Sequence, residues 1–427
     1  MSGFPNLTEL CVAECKNLIE IHDSLGSLHN LQKFCAEGCT KLMIGPRGIK
    51  LTSLEHLCLR DCSSLVVFPE ILAPMQKLKF VELEGTSIKN LPRSMQNLEG
   101  LRILSLQRCK MLESNDPSNF VQRLHEIFPN LTQLCLQDSN LTILPACIEE
   151  CHFLEALHVY DCKQLQEIRG LPPSITDFSA QNTLVEADCS ILNTLLTRAI
   201  SSTTILYYIL PCQQVPELFD HSSKGNSLCF WFRNELPSLT VCFVSGVLGN
   251  IKPPFYVNLN FFARINDVDL CVNCFCWYNV ICISENDHIF MFNLQNHFHH
   301  PMNSDIRRAL ETNEWIHGKV SFVMTSPEKY SRRLGGVIKW IGVYVNRRFS
   351  RMENVRFTNP YTSNNTSDVG KKFVLLGEAP DIQQQQPLNY VYSDSDRQEP
   401  ENTIDYSNEQ DGAFSENVKA EREKLEP

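Results

Sequence analysis

Nowhere in its 427 residues does the chain carry an apolar run approaching the roughly 18 that a membrane-spanning helix needs. The densest candidates, such as Ile205 to Leu210, are a few residues long, which excludes a spanning helix. The opening MSGFPNLTEL has no basic stretch leading into an apolar core, so the sequence predicts no secretory signal and a cytoplasmic or nuclear address. Signatures of common enzyme chemistry are missing too. No G-x-x-x-x-G-K-[ST] loop is present to cradle nucleotide phosphates, and neither G-x-S-x-G nor H-E-x-x-H occurs. The chain is therefore expected to be no enzyme, with no catalytic residue, no cofactor and no metal. Its 19 cysteines are about 4% of the residues, below the 8–10% of a disulfide scaffold, and read as thiols.

Charge is also unevenly placed. The net formal charge is −11, yet from Glu378 onward there are 13 Asp or Glu against 4 Lys or Arg, which leaves −2 for the first 377 residues. That tail also holds the Gln383 to Gln386 run and few large apolar side chains, a composition predicting disorder because too little surface can be buried to offset chain entropy. An acidic balance speaks against nucleic acid as a partner. The stretch Arg347, Arg348, Arg351 and Arg356, alternating with Phe349 and Phe357, reads as a solvated strand end.

What is present in quantity is a repeat, L-x-x-L-x-L-x-x-C. It begins at Leu7, Leu31, Leu54, Leu78, Leu101, Leu131 and Leu154, with a looser eighth copy at Ile175, at spacings of 24, 23, 24, 23, 30, 23 and 21 residues. Apart from one insertion these lie in the 20–29 window of leucine-rich repeats. Each unit is a short strand, a turn and a return segment that cannot bury its apolar face alone, so units stack into a solenoid with one continuous core. Cys15, Cys39, Cys62, Cys109 and Cys162 end their strands where a small polar side chain bonds the turn backbone, and are expected to be buried and inert. A second column, Cys11, Cys35, Cys58 and Cys135, points outward. No histidine or fourth ligand completes a metal set there, and the column reads as a weakly polar stripe. The remaining outward positions form the expected protein-binding concave face: Glu9, Ala13, Lys33, Glu37, His56, Arg60, Glu82, Glu84, Gln107, Gln133, Gln137, His158 and Tyr160.

Beyond Thr183 the period stops. Ala187 to Ser201 has helical spacing with Asp188 as a cap, and from Tyr207 to about Pro360 short aromatic and β-branched runs alternate with Pro, Gly and Asn. The expected runs are Leu228 to Phe232, Leu239 to Val244, Phe255 to Phe262, Leu270 to Tyr278, His288 to Leu294, Val320 to Met324 and Val337 to Val345, an antiparallel sandwich. Cys271, Cys274 and Cys276 form C-x-x-C-F-C without a second pair at zinc-finger spacing, and His297, His299 and His300 read as a wet loop. The layout is then a solenoid over 1–186, a helical connector over 187–206, a β-sandwich over 207–360, and a linker with the acidic tail over 361–427.

The segment ILYYILPCQQVPELFDHSSKGNSLCFWFRNELPSLTVCFV, Ile205 to Val244, resembles the start of a jelly-roll or immunoglobulin-like domain. That domain follows the repeats in plant intracellular immune receptors built from a Toll/interleukin-receptor domain, a nucleotide-binding switch and leucine-rich repeats. The family's I-P-x-x-x-V-P-x-W-F-x-H-x-S motif is met at Leu210, Pro211, Val215, Pro216, Phe219, His221 and Ser222, and its F-W-F-R at Phe230, Trp231, Phe232 and Arg233. Cys212 stands where glycine is usual and Leu218 where tryptophan is usual. The resemblance covers about residues 6 to 360. It implies fold maintenance for the Pro, Phe and Trp residues, a looped and more open His221, and a recognition half that binds a pathogen effector protein and controls defence signalling. The nucleotide-binding and NAD-cleaving domains are absent from this chain. Three other readings stay open: a decoy or regulator acting on a full-length receptor or its switch domain, a non-functional truncated fragment, or a piece of an extracellular receptor, for which the sequons at Asn6, Asn130 and Asn140 speak.

Overall fold

The structure, a computed structural model, describes residues 6–110, 123–185, 189–201, 207–247, 255–265, 268–270, 280–283, 286–293, 308, 310–325 and 336–360. The acidic tail, Asp188, the C-x-x-C-F-C run, His297, His299 and His300 lie outside them, as does 111–122 within the long repeat. The chain divides into two units, Met1–Asn364 and Asn365–Pro427, and every described residue belongs to the first. Among the described residues no helix is long and apolar enough to cross a membrane.

Each repeat contributes one three-residue strand: β1 (Glu9–Cys11), β2 (Lys33–Cys35), β3 (His56–Cys58), β4 (Phe80–Glu82), β5 (Ile103–Ser105), β6 (Gln133–Cys135), β7 (Ala156–His158) and β8 (Asp177–Ser179). They pair in parallel and in sequence order, with the middle inward residue of every strand in register with the next: Leu10, Phe34, Leu57, Val81, Leu104, Leu134, Leu157 and Phe178. From Phe34 onward these side chains are buried. Each large apolar side chain removed from water in this way stabilises by about 1.5–3 kcal/mol, which no isolated unit could obtain. On the return side, Pro92 and Pro145 hold extended backbone immediately before the 3₁₀ turns Arg93–Asn97 and Ala146–Glu150, where a fixed proline φ suits the start of a helical turn.

Two periodic devices close each strand. The strand-ending thiols donate to the carbonyl of the preceding unit: Cys39 Sγ to Val12, Cys62 to Ala36, Cys109 to Leu83 and Cys162 to Leu136, each at 3.1 Å. The expected bond to the turn is therefore a bond between repeats, whereas Thr86 and Thr183 do bond their own turns, to Leu83 and Ala180. Burial raises the pKa of Cys39, Cys62, Cys109 and Cys162, Cys62 to about 12, so these thiols stay protonated. Cys15 corrects the expectation: it is exposed, since its place in the first described repeat offers no preceding carbonyl. The residue just before each of these positions has positive φ: Glu14, Gly38, Asp61, Gly85, Arg108, Asp138, Asp161 and Asn182. At Gly85 (φ +64°) a Cβ would lie 2.5 Å from Asp61 Oδ1, so both conformation and space call for glycine.

The second half holds the helix α1 (Cys189–Ser201) and eleven strands among the described residues. These are β9 (Tyr207–Pro211), β10 (His221–Lys224), β11 (Ser227–Phe232), β12 (Leu239–Val247), β13 (Phe255–Ile265), β14 (Val268–Leu270), β15 (Val280–Ile283), β16 (His288–Asn293), β17 (Ile316–Thr325), β18 (Gly336–Val345) and β19 (Val355–Arg356). One sheet runs β9-β16-β12-β18-β10, the other β14-β13-β17-β11-β19 with β15 also on β13. The two sheets meet through aromatic rings: Phe243 of β12 lies 4.8 Å from Phe322 of β17 and stacks on Phe290 of β16 at 4.6 Å.

The expected boundary at 206/207 is not a break in the sheet. Strand β9 pairs in parallel with β8 (Asp177↔Tyr207, Phe178↔Tyr208, Ser179↔Ile209) and antiparallel with β16 (Tyr208↔Met291, Pro211↔His288). The repeat sheet thus continues into the first sheet of the second half, thirteen strands in all among the described residues. Tyr208 is buried and its hydroxyl donates to the Ile175 carbonyl of the last repeat at 3.0 Å. Above the joint, α1 buries Leu192, Leu195 and Leu196, and Arg198 donates to the Leu171 carbonyl at 2.7 Å.

Candidate protein-recognition face

Parallel pairing in register turns the outward residues into columns that cross the repeats. The first reads Glu9, Lys33, His56, Phe80, Ile103, Gln133, Ala156 and Asp177; the second reads Cys11, Cys35, Cys58, Glu82, Ser105, Cys135, His158 and Ser179. Only part of this surface is open. Glu9 and Lys33 are exposed, and Glu37, His56, Arg60, Gln133 and Tyr160 are half-buried. Glu82, Glu84, Gln107, Gln137 and His158, expected at the surface, are buried. Sequence reasoning does not single out Phe80, Ile103, Ser105 and Asp177, which the period of the strands places on the same face.

Most of the buried members contact one another. His56 Nε2 lies 2.9 Å from Glu82 Oε2, with the His56 ring edge-on to Phe80. Arg60 reaches Glu84 at 3.3 Å and Glu37 at 3.7 Å, and Ser105 donates to Glu84 at 2.8 Å. Burial pushes the Glu84 carboxyl up, and Arg60 and the Ser105 hydroxyl oppose it. Gln137 donates to Gln107 at 2.8 Å, and Arg108 pairs with Asp61 at 2.8 Å. Toward the joint, His158 Nε2 lies 3.1 Å from Asp177 Oδ2. Burial lowers the His158 pKa, but the Asp177 charge and hydrogen bond, helped by Cys135, outweigh it and raise the imidazole to about 10. The Asp177 carboxylate thus favours the imidazolium form of His158.

In the second half the motif residues do structural work. The Pro216 carbonyl accepts from Phe219 N–H at 3.1 Å, and this turn lays Val215 and Phe219 against β18, where a Cβ on Gly342 would lie 2.5 Å from Val215 and 3.3 Å from Phe219. Phe219 is buried, edge-on to Tyr344; Phe232 is fully buried; Trp231 packs on His317; and Pro211 ends β9. His221 and Ser222 lie in strand β10, not in a loop, and the His221 ring stacks on Phe357 at 4.8 Å. Cys212, in the place of the usual glycine, donates its N–H to Asp287 O, and Leu218 is half-buried against the core. Arg233 and Arg356 lie over the Trp315 ring at 4.7 and 4.8 Å, Arg347 pairs with Asp220, and Arg351 lies 3.6 Å from Glu353, so the basic stretch is engaged with protein groups.

At the joint His288 is buried and its Nε2 accepts from Asn182 N–H at 3.2 Å. Burial depresses its pKa to about 4, against smaller raising effects of the Asn286 backbone and Asp287. An unfolded histidine takes up its proton near pH 6.5, so stability present above that pH is lost as pH falls toward 4, by up to about 3 kcal/mol. Urea midpoints measured from pH 7 to pH 4 should fall, and His288→Gln should flatten that acid limb.

No family model matches the chain. It is similar to the Protein SUPPRESSOR OF npr1-1, CONSTITUTIVE 1 of Arabidopsis thaliana, 31% identical over 182 residues, 39% of this chain and 12% of that protein. It is also similar to the Disease resistance protein RPS4B of Arabidopsis thaliana, 33% identical over 34% of this chain and 9% of that protein. A third relative is the TMV resistance protein N of Nicotiana glutinosa, 29% identical over 43% of this chain and 14% of that protein. Among solved structures, the leucine-rich repeat domain of the type III effector XCV3220 (XopL) shares 22% identity over 42% of this chain and 69% of that one, with a TM-score of 0.32. The matches span about a tenth of the length of these curated relatives. A leucine-rich-repeat sheet and relatives of this kind make the chain a homologue of plant disease resistance proteins of the Toll/interleukin-receptor, nucleotide-binding and leucine-rich-repeat type.

Proposed function

We propose that the chain is the recognition part of an intracellular plant immune receptor, acting in cytoplasm or nucleus, which binds a pathogen effector protein and by that contact controls defence signalling. We infer that its eight repeat units and a jelly-roll or immunoglobulin-like second domain act together, followed by an acidic tail that takes no part in binding. The observation that carries this reading is the concave sheet itself, a rigid row of outward side chains whose exposed and half-buried members (Glu9, Lys33, Glu37, His56, Arg60, Gln133 and Tyr160) mix both charges with aromatic rings. The buried Glu82, Glu84, Gln107 and Gln137 hold that row in place.

The reading includes no catalysis. Purified chain should bind one effector saturably and hydrolyse neither ATP nor NAD. Tyr160→Ala should weaken that binding by about 2 kcal/mol, roughly 30-fold, as loss of an aromatic anchor does, while leaving the unfolding midpoint nearly unchanged. Nucleotide hydrolysis, or binding indifferent to every concave-face substitution, would sink the proposal. Capture of a full-length receptor with no effector would replace it by the regulatory reading.

A further inference from the structure

The second outward column begins with three thiols on neighbouring strands, Cys11↔Cys35↔Cys58. Glu37, two residues beyond Cys35 on the same face, brings a carboxylate to them. The Cys35 and Cys58 sulfurs and a Glu37 carboxylate oxygen all lie within 4.8 Å of one another. The donors of a tetrahedral zinc, at about 2.3 Å for sulfur and 2.0–2.2 Å for oxygen, stand roughly 3.5–4 Å apart. Side-chain rotations of about 1 Å therefore bring the three onto one cation.

We propose that Cys35, Cys58 and Glu37 form a binding site for a thiophilic divalent cation of the zinc class, three protein donors with a fourth position open toward the concave surface. Several features of the surroundings fit. Cys58 is buried with 3% of its surface exposed, whereas Cys35 and Glu37 are half-buried, so the site has a fixed floor and an open side. The two sulfurs sit on adjacent strands whose spacing the backbone pairing holds, so little ordering entropy remains to oppose binding. Two thiolates and a carboxylate around a divalent cation carry one negative charge, and the Arg60 guanidinium, shared between Glu37 and Glu84, lies beside it. A carboxylate among thiolates favours zinc over cuprous ion, which prefers sulfur alone.

Both cysteines must give up their protons to solvent as their sulfurs join the cation, so binding should tighten as pH rises.

The test uses the full chain, stripped of metal and titrated with Zn²⁺ against a chromophoric chelator, and separately with Cd²⁺ to read the ultraviolet thiolate-to-metal charge-transfer band. One equivalent should bind, the band should appear, and Zn²⁺ should protect Cys35 and Cys58 from alkylation. Cys35→Ser should weaken binding by more than about 100-fold, beyond the roughly 10–100-fold that loss of an outer partner costs. Glu37→Gln, which leaves the apolar core untouched, should weaken it by roughly 10-fold or more, and Cys229→Ser, in the second half, should change nothing. Absence of saturable binding, a full equivalent still held by the Cys35→Ser/Cys58→Ser double variant with its circular dichroism unchanged, or a Cys35–Cys58 disulfide in freshly purified protein would each overturn the assignment.

Discussion

Tyr208→Ala should cost about 3–5 kcal/mol and turn one unfolding transition into two. The ring is among the largest fully buried side chains, and its removal leaves a cavity between the last repeat strand and the first strand of the second half. It also strands the Ile175 carbonyl, which loses its hydroxyl donor in a buried site. Tyr208→Phe separates the two contributions, since it keeps the packing and should cost about 1–2 kcal/mol. Because β9 is hydrogen-bonded to both halves, weakening it should uncouple them. Calorimetry of the wild-type chain should show one cooperative transition over both halves, and Tyr208→Ala should show the repeats and the sandwich melting apart. Two transitions already present in the wild type would refute the view of β9 as a mechanical joint.

Asp177→Asn should cost about 3–5 kcal/mol at pH 7, as removal of one partner of a buried ion pair does. His158 is almost fully buried and its charge is held by Asp177 at 3.1 Å. With the carboxylate gone the imidazole must either stay charged without a counterion or lose its proton and its best partner. The pH dependence identifies the mechanism. A histidine raised to about 10 in the fold but ordinary when unfolded contributes stability that is complete below about pH 6.5 and fades as pH rises through 10. Wild-type urea midpoints should decline over that interval and those of Asp177→Asn should be flat by comparison. Equal slopes would show that the pair is not ionised.

Much of this architecture is legible in the amino-acid order. The recurring Leu7, Leu10, Val12, Cys15 frame marks every repeat strand to within a residue, because a rung that cannot bury its face alone must repeat its apolar spacing to be buried by its neighbours. The runs at Leu228, Leu239, Phe255, His288, Val320 and Val337 form strands for the same kind of reason, a half-buried pleat written as alternation. Less is legible of the face. That Glu82 and Glu84 are buried while Glu9 and Lys33 are exposed depends on what stands on adjacent strands, 23 or 24 residues away in sequence. Phe80 and Ile103 do not stand out as outward residues because apolar side chains there look like core. Glu37 reads in the sequence as a recognition residue and not as a donor beside Cys35 and Cys58, because the gathering of these groups emerges only when register is known.

The sequence by itself determined the repeat, the placement of one thiol, Ser or Thr at each turn, the change to β-sandwich patterning after Thr183 and the concentration of acidity beyond Glu378, since all of these are local periodicities or compositions. Only the tertiary structure decided that β9 belongs to both halves at once, that His221 lies in a strand, that His158 is buried against Asp177 and that three sulfur and oxygen donors converge on the concave sheet. Each of those outcomes is a relation between residues far apart in the chain. Burial, ionisation and coordination are set by the groups that surround a side chain in space, and the linear order names those groups only after pairing and register have brought them together.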